Sequence, residues 1–120
     1  MNFRKEERLG KEKLIQELFE KGSSFYFFPF KVMVMRNPAQ DYPFHQVLFS
    51  VSKRNFKRAV DRNVLKRRMR EAYRQNKSAI SAPEKLLIAY IYSAKEILTF
   101  AQIQERLIKT FNRLDHVEKI

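Results

Sequence analysis

Apolar residues return at helical spacing at Leu14, Ile15, Leu18 and Phe19, and Gly22 stands just past them, so the pattern predicts a first helix that ends near Lys21. The next stretch, SSFYFFPF, crowds Phe25, Tyr26, Phe27, Phe28 and Phe30 around Pro29. Proline cannot donate to a ladder, so Pro29 marks a strand start or an edge, and some of these rings are expected to stay exposed. Phe30, Val32 and Val34 then alternate with Lys31, Met33 and Met35, the signature of a half-buried strand, and RNPAQDYP makes the turn that follows. Val47, Phe49 and Val51 predict a partner strand. From Val60 the period returns to that of a helix, with Val64, Leu65, Met69 and Ala72 on one side and Tyr73 at its edge. After a connection over Ser78 to Glu84, KLLIAYIYS is apolar enough to lie inside a sheet. Thr99 with Gln102 three residues on forms a capping-box pattern that opens a last helix, whose stripe is Phe100, Ile103, Leu107 and Phe111.

The resulting order, α-β-β-α-β-α, implies an α+β sandwich, and a further hairpin dividing the middle strand would make it α-β-β-(β)-α-β-α. Met1 to Gly10 is polar and charged and is expected to be a mobile arm. At 120 residues, 44% of them apolar, the chain is expected to form one domain over residues 1–120. There is no cysteine, which excludes disulfides and cysteine-based zinc sites and suits a cytoplasmic protein. No signal peptide and no 18-residue apolar run is visible, so no membrane partner is expected.

Charge changes the picture more. Between Lys53 and Lys77 lie eleven of the 25 Lys and Arg residues and only two acids, Asp61 and Glu71, while the rest of the chain is nearly balanced. On the predicted helix Arg62, Asn63, Lys66, Arg67, Arg70, Arg74 and Lys77 gather in an arc of roughly 140° opposite the apolar side. Such a run can be an ordinary solvated face. Here only one acid, Glu71, lies at helical spacing from the arc to neutralise it, and concentrated like charge is relieved by a polyanion. Arginine offers phosphate a planar fork of donors, and Asn63 adds a group that both donates and accepts. The pattern therefore points to nucleic acid.

The segment AVDRNVLKRRMRE, Ala59 to Glu71, resembles the signature of the bacterial ribonuclease P protein family, in which Arg-Asn is followed by Lys-Arg and then Arg-Glu or Arg-Gln on one helix. FSVSKRNFKRA before it is similar to the family's strand and basic loop, although Phe56 and Lys57 stand where some members carry a small residue. The similarity runs from RLGKEKLIQELFEKG to the final strand and helix. It implies a left-handed βαβ crossover around the basic helix, where a right-handed one is the ordinary expectation.

Nothing in the chain looks catalytic by itself. Its three aspartates, Asp41, Asp61 and Asp115, are far apart in sequence, and neither His45 nor His116 has a companion at motif spacing. With only Gly10 and Gly22, there is no Gly-rich phosphate loop. The resemblance implies a matching division of labour: a catalytic RNA subunit performs the chemistry with Mg2+, and the protein, inactive alone, assists endonucleolytic removal of the 5′ leader from precursor tRNA. Its implied partners are the ribonuclease P catalytic RNA and precursor tRNA, with no obligate protein partner. Lys53, Arg54, Lys57, Arg58, Arg62, Asn63, Lys66, Arg67, Arg70 and Arg74 would face the RNA subunit. A cleft between the first helix and the sheet would receive the single-stranded leader, where bases stack on aromatic rings. By motif position Phe19 and Phe30 match aromatic cleft residues of the family, each also suited to core packing, while Ile15 and Met33 fall where other members often carry Phe and Tyr. From the residues alone, a ribosomal or other structural RNA-binding protein is the alternative. A DNA-binding helix comes third, since no second helix is placed for a helix-turn-helix.

Overall fold

KLLIAYIYS becomes strand β4 (Leu86–Tyr92), and the sheet is assembled around it. The structure, a computed structural model, describes residues 3–114; Asp115 and His116 lie outside them. In chain order come α1 (Glu12–Lys21), β1 (Ser23–Phe27), β2 (Phe30–Arg36), β3 (Gln46–Val51), α2 (Ala59–Asn76), β4 and α3 (Phe100–Leu114). The strands lie in the order β1-β2-β4-β3; β4 is antiparallel to β2 and parallel to β3, so β3, α2 and β4 form a βαβ unit. The expected α+β class is what the chain adopts, as four strands of mixed direction with three helices.

The period of two sorts the side chains. Phe30, Val32 and Val34 join Phe49, Ile88, Tyr90 and Tyr92 on one face, which α2 and α3 cover with Leu65, Met69, Tyr73, Ile103, Leu107 and Phe111. Met33, Leu87 and Ala89 point the other way and pack with Leu18, Leu14 and Ile15 of α1. The fully apolar β4 is thus explained by burial on both faces. Tyr90 keeps its hydroxyl satisfied within the core by a 2.7 Å hydrogen bond with the Thr110 hydroxyl.

Local chemistry sets the ends. Gly22 closes α1 by donating its N–H to the Leu18 carbonyl at 2.8 Å. A Cβ there would collide with that carbonyl oxygen and lie 2.8 Å from Leu18 Cδ1, so close approach, not a left-handed backbone, requires glycine. The Thr99–Gln102 capping box forms, each side chain accepting the other residue's N–H. The extra hairpin falls inside the aromatic run: Phe27 pairs with Phe30, and Phe28–Pro29, joined by a cis peptide, make the turn.

The mobile arm expected over Met1 to Gly10 is corrected for residues 3–10. Phe3 packs edge-on against Phe49 and Tyr73, Leu9 is buried and donates its N–H to the Val47 carbonyl, and the buried Glu7 carboxylate accepts from Lys77 Nζ at 2.7 and 2.8 Å. Two apolar anchors and one buried ion pair outweigh the polarity of the remaining residues.

Candidate nucleic-acid interface

Helix α2 turns Leu65, Met69, Ala72 and Tyr73 into the core, and this fixes where its cations go. The basic loop before it is pinned by Phe56, which is buried against Tyr92 and donates its N–H to the Ser52 carbonyl. The large residue at this loop position is therefore a core anchor that holds Lys53, Arg54, Lys57 and Arg58 in solvent at the start of α2.

The charged side chains divide into two sets. Arg62 donates from Nη1 to the carbonyls of Phe56 and Lys57, at 2.7 and 2.9 Å, and so ties the loop to the helix. Arg74 is ion-paired with Glu71, and this contact, helped by Gln75, holds the Glu71 carboxyl down to about 2. Arg68, off the arc, donates to the Leu98 carbonyl and anchors the approach to α3. By contrast Lys53, Arg54, Lys57, Arg58, Lys66, Arg67 and Arg70 have no side-chain hydrogen bond or ion pair among the described residues; Lys66 and Arg70 are half-buried, the others exposed, and Asn63 is exposed beside them. Lys66 and Arg70 border a groove with Phe3, Arg8 and Leu9, which extends the cationic surface to the N-terminal segment. An array of uncommitted donors on a rigid helix can neutralise a phosphate backbone.

The proposed cleft residues do not all come together. Ile15 and Met33 meet between α1 and the sheet, where Met33 is buried. Phe19 is on α1 with its ring 44% exposed. Phe30 is corrected: it is fully buried on the opposite face, edge-on to Tyr90 and Tyr92, and cannot line a cleft beside α1. The register explains this, since Phe30 shares its face with Val32, one residue out of phase with Met33.

A ring that sequence reasoning did not single out is on the α1 side. Tyr26 pairs with Lys31 across the β1–β2 hairpin, both are exposed, and both alternate with residues facing the larger core. Its neighbours Phe25 and Phe27 face the other way, under the guanidinium groups of Arg113 and Arg106 at 4.1 and 5.7 Å. The period of two through Phe25, Tyr26 and Phe27 was the available signal, hidden because all three are aromatic.

Known proteins resemble the chain in sequence and in fold. The model of the family described as Ribonuclease P matches residues 3–115. The chain is 31% identical over 115 residues to a ribonuclease P protein component of Porphyromonas gingivalis, covering 92% of this chain and 84% of that one. The corresponding protein of Chlorobium phaeobacteroides is 34% identical over 128 residues, covering 94% and 88%. Among solved structures, the RNase P protein of Staphylococcus aureus superposes with a TM-score of 0.71 at 28% identity, over 92% of this chain and 96% of that one. That of Thermotoga maritima gives 0.73 at 27% identity, over 93% and 98%.

Proposed function

Because the chain belongs to the family of ribonuclease P protein components, and so serves tRNA 5′-end processing as the protein component that partners ribonuclease P RNA, we propose a division of that work between its two surfaces. The α2 face and the preceding loop bind the RNA subunit, and the α1 side of the sheet takes the single-stranded leader of precursor tRNA. The observation that carries this reading is the set of uncommitted cations from Lys53 to Arg70, laid along one helix and its lead-in with no acidic residue engaging them. Arg62 supports the same surface from behind by fixing the loop, and Asn63 is exposed within it. Phe19 and Tyr26 offer exposed rings on the second surface, with Lys31 placed to meet a phosphate, while Ile15 and Met33 form its apolar floor.

Mg2+ acts with the RNA subunit in this reading. Among the described residues no group of three or more His, Cys, Asp or Glu is placed to hold a metal ion. Likewise no described helix is long and apolar enough to cross a membrane, and a cytoplasmic site of action accords with the absence of cysteine.

Reconstitution tests the assignment. The purified protein is expected to leave precursor tRNA uncut, and addition of a cognate RNA subunit at low magnesium should release the 5′ leader. Robust magnesium-dependent cleavage by RNA-free protein would overturn the placement of the chemistry in RNA.

A further inference from the structure

A cavity of about 400 Å3 lies where the N-terminal turn, the loop between β2 and β3, the end of α2 and the start of β4 meet. Its polar groups are unusually uncommitted. Tyr73 is 1% exposed, lines this cavity, and has no hydrogen bond to its hydroxyl among the described residues. That hydroxyl is not sealed from solvent, so it is open to whatever occupies the cavity. His45 accepts the Leu86 N–H at Nδ1, at 3.0 Å, which leaves its proton on Nε2 as a donor without a partner among the described residues. Burial and the nearby Lys85 charge both favour this neutral form.

The charges around these donors favour an anion. The Glu7 carboxylate is already occupied by Lys77 and by the Arg4 N–H, which neutralises the one acid in the lining. Arg4 and Lys85 remain as net positive charge. Arg4 also lies over the Phe44 ring, 5.4 Å from its centroid, so a flat aromatic surface and a guanidinium sit together at the cavity wall. A cavity of this size accommodates a small organic ligand but not a folded partner. Planar ring, cations and two directional donors together match a base linked to a phosphate better than a bare anion, which would not use Phe44, or an apolar ligand, which would strand the donors.

We propose that this cavity binds one phosphate-bearing nucleotide, with the phosphate between Arg4 and Lys85 and the base against Phe44, its polar edge meeting the Tyr73 hydroxyl and His45 Nε2–H. The site is continuous with the cationic arc, because Tyr73 and Lys77 belong to α2 and its immediate end. An unpaired nucleotide of an RNA strand that follows α2 would arrive there; only this source, and not the site itself, rests on the RNA-binding reading above. A free nucleotide has the same chemistry.

Calorimetric titration of the full chain with uridine and adenosine 5′-monophosphates, their unphosphorylated nucleosides, inorganic phosphate and a uridine trinucleotide tests the proposal. Saturable binding of a monophosphate is expected, with its nucleoside and inorganic phosphate each about tenfold weaker or more. Lys85→Gln and Tyr73→Phe should each weaken the monophosphate about fivefold or more while the urea midpoint stays near wild type. If Tyr73→Phe perturbs folding, Lys85→Gln alone decides. No saturable binding, equal binding of inorganic phosphate, or wild-type affinity in Lys85→Gln would overturn the site. A trinucleotide that binds more tightly than the monophosphate supports an RNA strand as the source, and one that binds no better supports a free nucleotide. Arg67→Gln is the control: it should weaken RNA-subunit binding and leave nucleotide affinity unchanged. A protein that binds the RNA subunit but no nucleotide would overturn this site alone, whereas loss of RNA-subunit binding by the wild type would overturn the reading of α2.

Discussion

Phe30 and Tyr26 are four residues apart in an aromatic run, yet their roles are opposed because they face opposite sides of the sheet. Phe30→Ala removes a fully buried ring in contact with Tyr90 and Tyr92 and should lower stability by about 3–5 kcal/mol in urea unfolding. Tyr26→Ala should leave unfolding unchanged and weaken leader-bearing precursor by roughly 1–3 kcal/mol, with no effect on mature tRNA. Equal binding of both RNAs by Tyr26→Ala and wild type would remove that ring from the leader surface. His45 supplies a pH dependence. Its pKa is lowered, chiefly by burial, so the unfolded chain binds the proton more readily than the folded one. The stability it contributes is present above the ordinary histidine value of about 6.5 and is lost as pH falls below it. The urea midpoint should therefore fall between about pH 7 and pH 5, and His45→Gln, whose amide oxygen can still accept the Leu86 N–H, should flatten that slope.

At the scale of elements, most of the fold was legible in the sequence because hydrophobic period and local end signals agree. α1 ends beside Gly22, α2 occupies the segment read as helical from Val60, and α3 starts at its capping box. The first hairpin was harder: its two-residue turn is Phe28–Pro29, with none of the Gly or Asn that usually marks so tight a reversal. The cationic face of α2 was legible as charge, but not its internal division of labour, because which arginines bond to carbonyls depends on neighbours brought in by the fold. That division separates two outcomes. Arg67→Ala with Arg70→Ala should leave folding intact and reduce the magnitude of the salt slope for RNA-subunit binding by about one unit for each phosphate that is no longer neutralised. Arg62→Ala should also loosen the loop that carries Phe56 and Lys57, at a cost of about 1–3 kcal/mol seen in thermal unfolding. An unchanged salt slope in the double variant would take α2 out of the interface.

Across the whole molecule, two helices on one side of the sheet and one on the other give the protein distinct sides for distinct ligands. The N-terminal segment joins them, since it packs Phe3 on one cluster and Leu9 in the other. Its polar composition concealed this, and Glu7 reads as a surface residue until Lys77 is seen beside it. Deleting residues 1–9 should therefore lower the urea midpoint, because Lys77 is deprived of the Glu7 carboxylate, and a truncated chain as stable as the full one would contradict the packing described above. The strand order has a consequence for the birth of the protein. β4 separates β2 from β3, so the strand that completes the sheet is the last one made. During synthesis at about 5–20 residues per second, every segment up to α2 leaves the ribosome before its central partner has emerged. The growing chain thus presents its basic segment to an RNA-rich surrounding for seconds before it holds a closed core, and force-sensitive arrest during translation should register folding only once Tyr92 has emerged.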